Sequence, residues 1–258
     1  MQWGEAMRLK QLFMMACLLV AGVAQAAVTE QKITLPNELG SAVLYKAKRA
    51  DAPAVVVVHE WWGLNDYARK RAKMLAEAGY TAIAVDMYGH GKTTTHPKDA
   101  TAFMNAALAE PEKMNARFDA ALSVLRKQTD GKLYAIGYCF GGAVVLNQAR
   151  RGLELAGVAS FHGSLGTETP AKAGDITADV LVATGGADPM VPPEQVAGFV
   201  QEMSAAEVDF ELLSFPGVVH GFTNPGATAL GKKHGMPLAY DVEADQRSWA
   251  ALMRMLEH

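Results

Sequence analysis

Cysteine is scarce, with only Cys17 and Cys139 in 258 residues. A basic surplus is missing as well: 24 Lys and Arg stand against 27 Asp and Glu, for a formal net charge of −3. Phosphate binding draws on clustered cations, so no nucleic-acid partner is expected. Apolar runs stay short of the roughly 20 residues that cross a bilayer as a helix. Internal repeats and composition breaks are absent. His90, His96, His162 and His234 show no paired spacing with Cys, Asp or Glu of the kind that holds a metal, so none is expected. Gly91-Lys92-Thr93 looks like the end of a phosphate-binding loop, but that pattern needs glycine where Asp86 stands. No cofactor is expected. What is there is ordinary globular composition, half hydrophobic and one fifth charged, enough for one well-buried domain.

The first residues have the pattern of a secretory leader. Arg8 and Lys10 precede an apolar stretch over residues 11–23, and Ala24-Gln25-Ala26 supplies a small-x-small cleavage site. This predicts a cleaved signal peptide over residues 1–26 and a single domain over residues 27–258, secreted across the inner membrane to the periplasm and free of the membrane afterwards. Met7 is an alternative start. Removing the leader takes away Glu5, Arg8, Lys10 and Cys17, which leaves 22 basic against 26 acidic residues, a net charge of −4, and Cys139 as the sole cysteine. A lone cysteine makes no internal disulfide. In an oxidising compartment a free thiol is either buried or in use.

The remaining chain alternates strand and helix patterns. Apolar, β-branched runs at residues 54–59, 81–86, 133–138, 158–161, 180–184 and 210–215 predict strands buried on both faces, with weaker edge strands at 33–35 and 42–45. Helical spacing covers residues 67–78, closed by Gly79, and residues 111–128, opened by Pro111; residues 193–206 and 241–256 complete the set. The alternation predicts an α/β fold with a mostly parallel central sheet and helices on both faces. Residues 89–98 are rich in turn-forming and hydroxyl side chains and predict a surface loop at the mouth of a ligand crevice.

The chemical signal centres on Gly137-Tyr138-Cys139-Phe140-Gly141-Gly142, between a strand and a helix over residues 143–151. This is the nucleophile-elbow pattern with cysteine in place of serine. Small neighbours let the backbone turn sharply, and the turn sets the side chain at a helix N-terminus, where aligned dipoles favour a thiolate. The Phe140 N–H is placed to meet a developing oxyanion. A lone pattern of this kind fits a buried structural cysteine equally well. Its partners decide: Asp188 follows the 180–184 strand and His220 follows the 210–215 strand, so nucleophile, acid and histidine come in order, each at a strand end. His220 takes the thiol proton and Asp188 fixes its tautomer. A second cluster, His59-Glu60-Trp61-Trp62-Gly63, follows the 54–58 strand. Here Trp61 N–H is the candidate second oxyanion donor, and Glu60 lies in the same crevice.

These elements, with Asp86-Met87-Tyr88, resemble the dienelactone hydrolase family of the α/β-hydrolase superfamily, in family order across nearly the whole mature chain. The resemblance implies that Cys139 attacks an ester or lactone carbonyl and forms an acyl-thioester, that Glu60 helps activate the thiol, and that water releases the acid through His220. It implies arginines that grip a substrate carboxylate. At those places the chain has Asn224, which makes no bidentate charged clamp, and His90 and Lys92. Trp61, Trp62 and Phe222 point to an apolar or aromatic acyl pocket, with Tyr88, His162 and Asn224 as further lining.

The expected function is hydrolysis of a small-molecule carboxylic ester or lactone, by a monomer or weak homodimer. Acyl transfer or thioester cleavage on the same triad, a non-catalytic ligand-binding member of the fold, and a redox-sensing thiol are the alternatives.

Overall fold

The structure is a computed structural model that describes residues 28–257. The expected leader lies outside them. Eight strands form one sheet in the order β1-β2-β4-β3-β5-β6-β7-β8. β1 (Thr29–Leu35) and β2 (Gly40–Lys46) make an antiparallel hairpin, and β2 is antiparallel to β4. β3 (Ala54–Val58), β4 (Thr81–Val85), β5 (Leu133–Tyr138), β6 (Gly157–Phe161), β7 (Asp179–Gly185) and β8 (Phe210–Phe215) run parallel. The sequence explains the difference. β3 and β4 are buried at every position, as strands covered on both faces must be, whereas β1 exposes Thr29, Glu30, Gln31 and Lys32 at the edge.

Alternate residues of β3 face opposite layers. Val56 and Val58 join Phe118, Leu122, Leu125, Val144 and Phe199, under α3 (Pro111–Arg126), α4 (Phe140–Arg150) and α5 (Pro193–Ala205). Val55 and Val57 join Ala68, Leu75, Ala251 and Leu252, under α1 (Asp66–Glu77) and α7 (Val242–Glu257). The α1 N-terminus is capped by Asn65, whose side chain accepts from Ala68 N–H. The helix stops before Gly79, whose φ of +101° reverses the chain.

Two helices were not expected. α2 (Pro97–Leu108) begins inside the 89–98 loop, with the His96 ring accepting from Lys98 N–H at its N-cap. Only Ala100 and Ala107 of α2 are buried, so it shows no apolar stripe to betray it. α6 (Ala227–His234) carries Gly231 in its interior, which reads as a breaker. A Cβ there would lie 2.3 Å from the Leu238 carbonyl, so the glycine serves a close approach instead. Among the described residues no helix is long and apolar enough to cross a membrane.

The register of β3 on β5 positions the site. Val58 pairs with Gly137, so the segment after β3 emerges beside the one after β5. Behind it, α4 is tied to α5 by a buried ion pair: Arg150 donates from Nε and Nη2 to the two Glu202 oxygens at 2.8 and 2.7 Å. Glu202 also accepts from Ala171 N–H, and both side chains are nearly inaccessible. Breaking such a pair strands a buried charge. Glu202→Gln is therefore expected to lower unfolding stability by about 3 kcal/mol. The exposed control Glu243→Gln, which loses a solvent-screened pair with Arg247, should change it by less than about 0.5 kcal/mol. Urea midpoints at constant m-value check both.

Candidate active site

Cys139 sits between β5 and α4 with φ +53° and ψ −115°, a conformation that non-glycine residues rarely adopt. Its neighbours force the turn. A Cβ on Gly137 would lie 2.0 Å from the Gly141 carbonyl oxygen, and one on Gly141 would lie 2.4 Å from that of Val58, so only glycine fits either place. Three backbone bonds hold the geometry: Cys139 N–H to Phe161 O at 3.0 Å, Gly141 N–H to His59 O at 3.1 Å and Gly142 N–H to Cys139 O at 3.0 Å. Phe140 is the first residue of α4, so its N–H belongs to the helix N-terminus. The Cys139 thiol is free and partly accessible.

Asp188 and His220 arrive from the ends of β7 and β8, which are laced by Gly186 N–H to Phe215 O and Ala187 N–H to Val218 O. His220 Nδ1 donates to Asp188 Oδ2 at 2.7 Å, and Asp188 Oδ1 accepts from Met190 N–H. His220 Nε2 is buried and makes no hydrogen bond of good geometry, yet the Cys139 sulfur is near enough to act on it. Burial works against charge on His220. The Cys139 sulfur and the Asp188 carboxylate outweigh it and push the imidazole up to about 10. An imidazole whose charged form is favoured beside a sulfur is suited to proton transfer with it.

Glu60 lies in the same crevice and is buried. Its Oε2 accepts from Asn224 Nδ2 at 2.6 Å. Burial raises the carboxyl to about 7, although Asn224, His220 and Arg71 each pull the other way. A neutral amide is thus the direct partner of this acid.

His59 was quoted in the sequence only as part of its motif, and its role emerges from the fold. The ring is fully buried, between Tyr88 and Phe140. Nε2 accepts from Met87 N–H at 3.1 Å, so the proton is on Nδ1, which donates to the Glu60 carbonyl at 2.5 Å. That carbonyl belongs to the peptide whose N–H is Trp61, so the ring fixes the plane of the candidate oxyanion donor. Tyr88 adds a bond from its hydroxyl to Trp61 O at 3.0 Å. Asp86, also quoted without a role, organises the next loop by accepting from the N–H groups of Tyr88, Gly89 and Gly91.

Of the expected pocket residues, Trp61 is partly exposed and packs at a tilt against the buried Trp62, with ring centroids 4.7 Å apart. Trp62 packs on Ala100, Ala227 and Leu238, from α2, α6 and the segment after α6. Asn224 sits on Glu60. His162 and Phe222 have no accessible surface; they pack behind His220, with ring centroids 5.0 Å from His162 to His220 and 5.1 Å from His162 to Phe222. Among the described residues no group of three His, Cys, Asp or Glu side chains is placed to hold a metal.

Comparison with known proteins places the chain in a family. The sequence pattern of the dienelactone hydrolase family matches residues 41–258. A Salmonella typhimurium protein named as a carboxymethylenebutenolidase is 27% identical over 205 residues, 74% of this chain and 76% of its own. A dienelactone hydrolase-like promiscuous phosphotriesterase from metagenomic libraries is 34% identical, covers 90% of this chain and 98% of its own, and superposes with a TM-score of 0.79. An α/β-hydrolase from a Medee basin deep-sea metagenome library, 17% identical with a TM-score of 0.58 over 90% of this chain and 99% of its own, shares the fold.

The Glu60 shift carries a stability prediction. With its folded value raised from 4.5 to about 7, Glu60 holds a proton that the unfolded chain releases. The Glu60 contribution to stability is then fully present below about pH 4.5 and is lost as pH rises through about 7. Glu60→Gln removes the loss, so at pH 8 the variant should be more stable than wild type by on the order of 3 kcal/mol. Thermal unfolding at several pH values should show the gap closing toward pH 4.5.

Proposed function

Because the chain belongs to the dienelactone hydrolase family, we propose that it hydrolyses carboxylic esters or lactones through Cys139, with His220 and Asp188 completing a triad. The observation that carries the reading is the convergence of three strand ends. A strained cysteine, a histidine whose charged form that sulfur favours, and an aspartate 2.7 Å from the histidine lie together in one crevice.

The Cys139 sulfur attacks the acyl carbon, and the carbonyl oxygen becomes an oxyanion that meets the N–H groups of Phe140 and Trp61. The C–O bond to the leaving group breaks, the proton on His220 passes to the departing oxygen, and an acyl-thioester remains. Forming the thioester neutralises the sulfur and removes the first interaction that raised His220. The imidazole then becomes a base able to take a proton from water. Water adds to the thioester, the C–S bond breaks, and the acid leaves. Glu60 stands beside His220 as a second proton carrier, poised by its raised value near neutrality. The partly exposed Trp61 indole, backed by the buried Trp62, gives the acyl group an apolar wall.

A second reading follows from the phosphotriesterase at 34% identity: the same sulfur attacks a neutral phosphotriester. The amino-terminal pattern adds a proposal of place, export to the periplasm.

A panel of p-nitrophenyl carboxylic esters and a p-nitrophenyl dialkyl phosphate tests these readings. Cys139→Ala and His220→Ala should each lower kcat/KM on the best ester by at least about a thousandfold. Turnover surviving both substitutions overturns the triad. An added alcohol that diverts product into a new ester marks acyl transfer instead. A wild type that binds esters without turning any over marks a binding protein.

A further inference from the structure

The mechanism uses His220 but leaves a second buried histidine beside it. His162 is the first residue after β6 and holds φ +41°, a left-handed value rare outside glycine. It has no accessible surface. Such a residue is kept against strain and burial, which calls for a reason.

The polar groups around it form a chain with one direction. Arg71 is always a donor, and its Nε donates to Tyr67 Oη at 3.2 Å. Tyr67 Oη therefore turns its own proton to Thr223 Oγ1, 2.6 Å away. Thr223 Oγ1, having accepted from Tyr67, donates to His162 Nε2 at 2.7 Å. Arg71 is anchored in turn by Asp245 and by the Thr223 carbonyl. His162 Nε2 is then an acceptor, and the ring proton lies on Nδ1, which is buried without a partner. An imidazolium would need acceptors at both nitrogens, and this ring meets a donor at one and no hydrogen bond of good geometry at the other.

We propose that His162 is a positioning residue for His220: a neutral imidazole, locked as the Nδ1–H tautomer by the Arg71–Tyr67–Thr223 chain, that packs edge-on against the His220 ring and keeps it in the plane where Nδ1 meets Asp188. The proposal rests on the triad reading. The groups around the ring agree with it. His220, carrying charge, faces it across 5.0 Å; Tyr138 packs at 6.2 Å; and Thr223, Tyr67 and Arg71 approach from the other side. Burial, with His220 and Arg71, holds His162 well below the usual histidine range. Two imidazoles this close do not both carry charge at modest expense, and the chain from Arg71 settles which one stays neutral.

The test uses the enzyme with ring-15N-labelled histidine, together with Thr223→Val and Thr223→Ser. In wild type, His162 should give the neutral Nδ1–H signature from about pH 5.5 to about pH 9. Thr223→Val keeps the volume and removes the donor. It should lower kcat on the order of tenfold to a hundredfold with KM within about twofold, and add an ionisation to the pH profile of Cys139 alkylation by iodoacetamide. Thr223→Ser should restore kcat to within about threefold. An Nε2–H tautomer or a charged His162 in wild type overturns the proposal. So does a Thr223→Val enzyme that slows with an unchanged pH profile, since simple loss of packing predicts that. If Thr223→Val fails to fold, the wild-type tautomer decides alone. If wild type turns over no ester, the triad reading fails, while the tautomer and the alkylation profile still report on His162.

Discussion

One backbone contact constrains the rest of the crevice: the first turn of α4 lies directly on the end of β3. A Cβ on Gly141 would sit 2.4 Å from the Val58 carbonyl, and the Gly141 N–H bonds to the His59 carbonyl. Bringing a helix that close to a strand forces Cys139 into its strained conformation. The same contact brings the segment that follows β3 against the start of α4, where the His59 ring stacks with Phe140. The buried Arg150–Glu202 pair supports the other end of α4 against α5. Strain at the turn is held by packing distributed over the helix.

Within that frame, environment apportions charge among groups of similar chemistry. Three imidazoles lie within the crevice and its floor. His59 and His162 are buried among donors and apolar rings and stay neutral, while His220 has a carboxylate on one side and a sulfur on the other. Among the acids, Asp188 is tied to His220, whereas Glu60 faces an amide and is raised toward neutrality. The differences follow from which partner each strand end delivers, and not from residue type.

How much of this was legible beforehand depended on the range of the interaction. The buried parallel strands were, because β3, β4 and β6 announce burial on both faces by unbroken apolar runs. The residues that the fold gathers at the crevice were also legible, because Cys139, Asp188 and His220 each follow a strand within a few positions and carry local turn signals. α2 and α6 were not, because one buries too little and the other contains a glycine used for close packing. Nor was the polar network beneath the crevice. Arg71 and Asp245 are 174 residues apart, and Tyr67 and Thr223 are 156 apart, so no spacing rule relates them. The role of His59 was hidden for a different reason: its ring joins the Glu60 carbonyl to the Met87 N–H from another strand end, and only the fold brings those two groups together.

The single partly exposed thiol has a practical side. Among the described residues Cys139 is the one cysteine, and it lies free in the crevice beside His220. A thiol-directed dye or isotope-coded tag therefore has one address in the folded domain. The molar ratio of label to protein becomes a direct count of intact sites in a preparation, independent of any substrate, and places specific activities from different batches on a common scale.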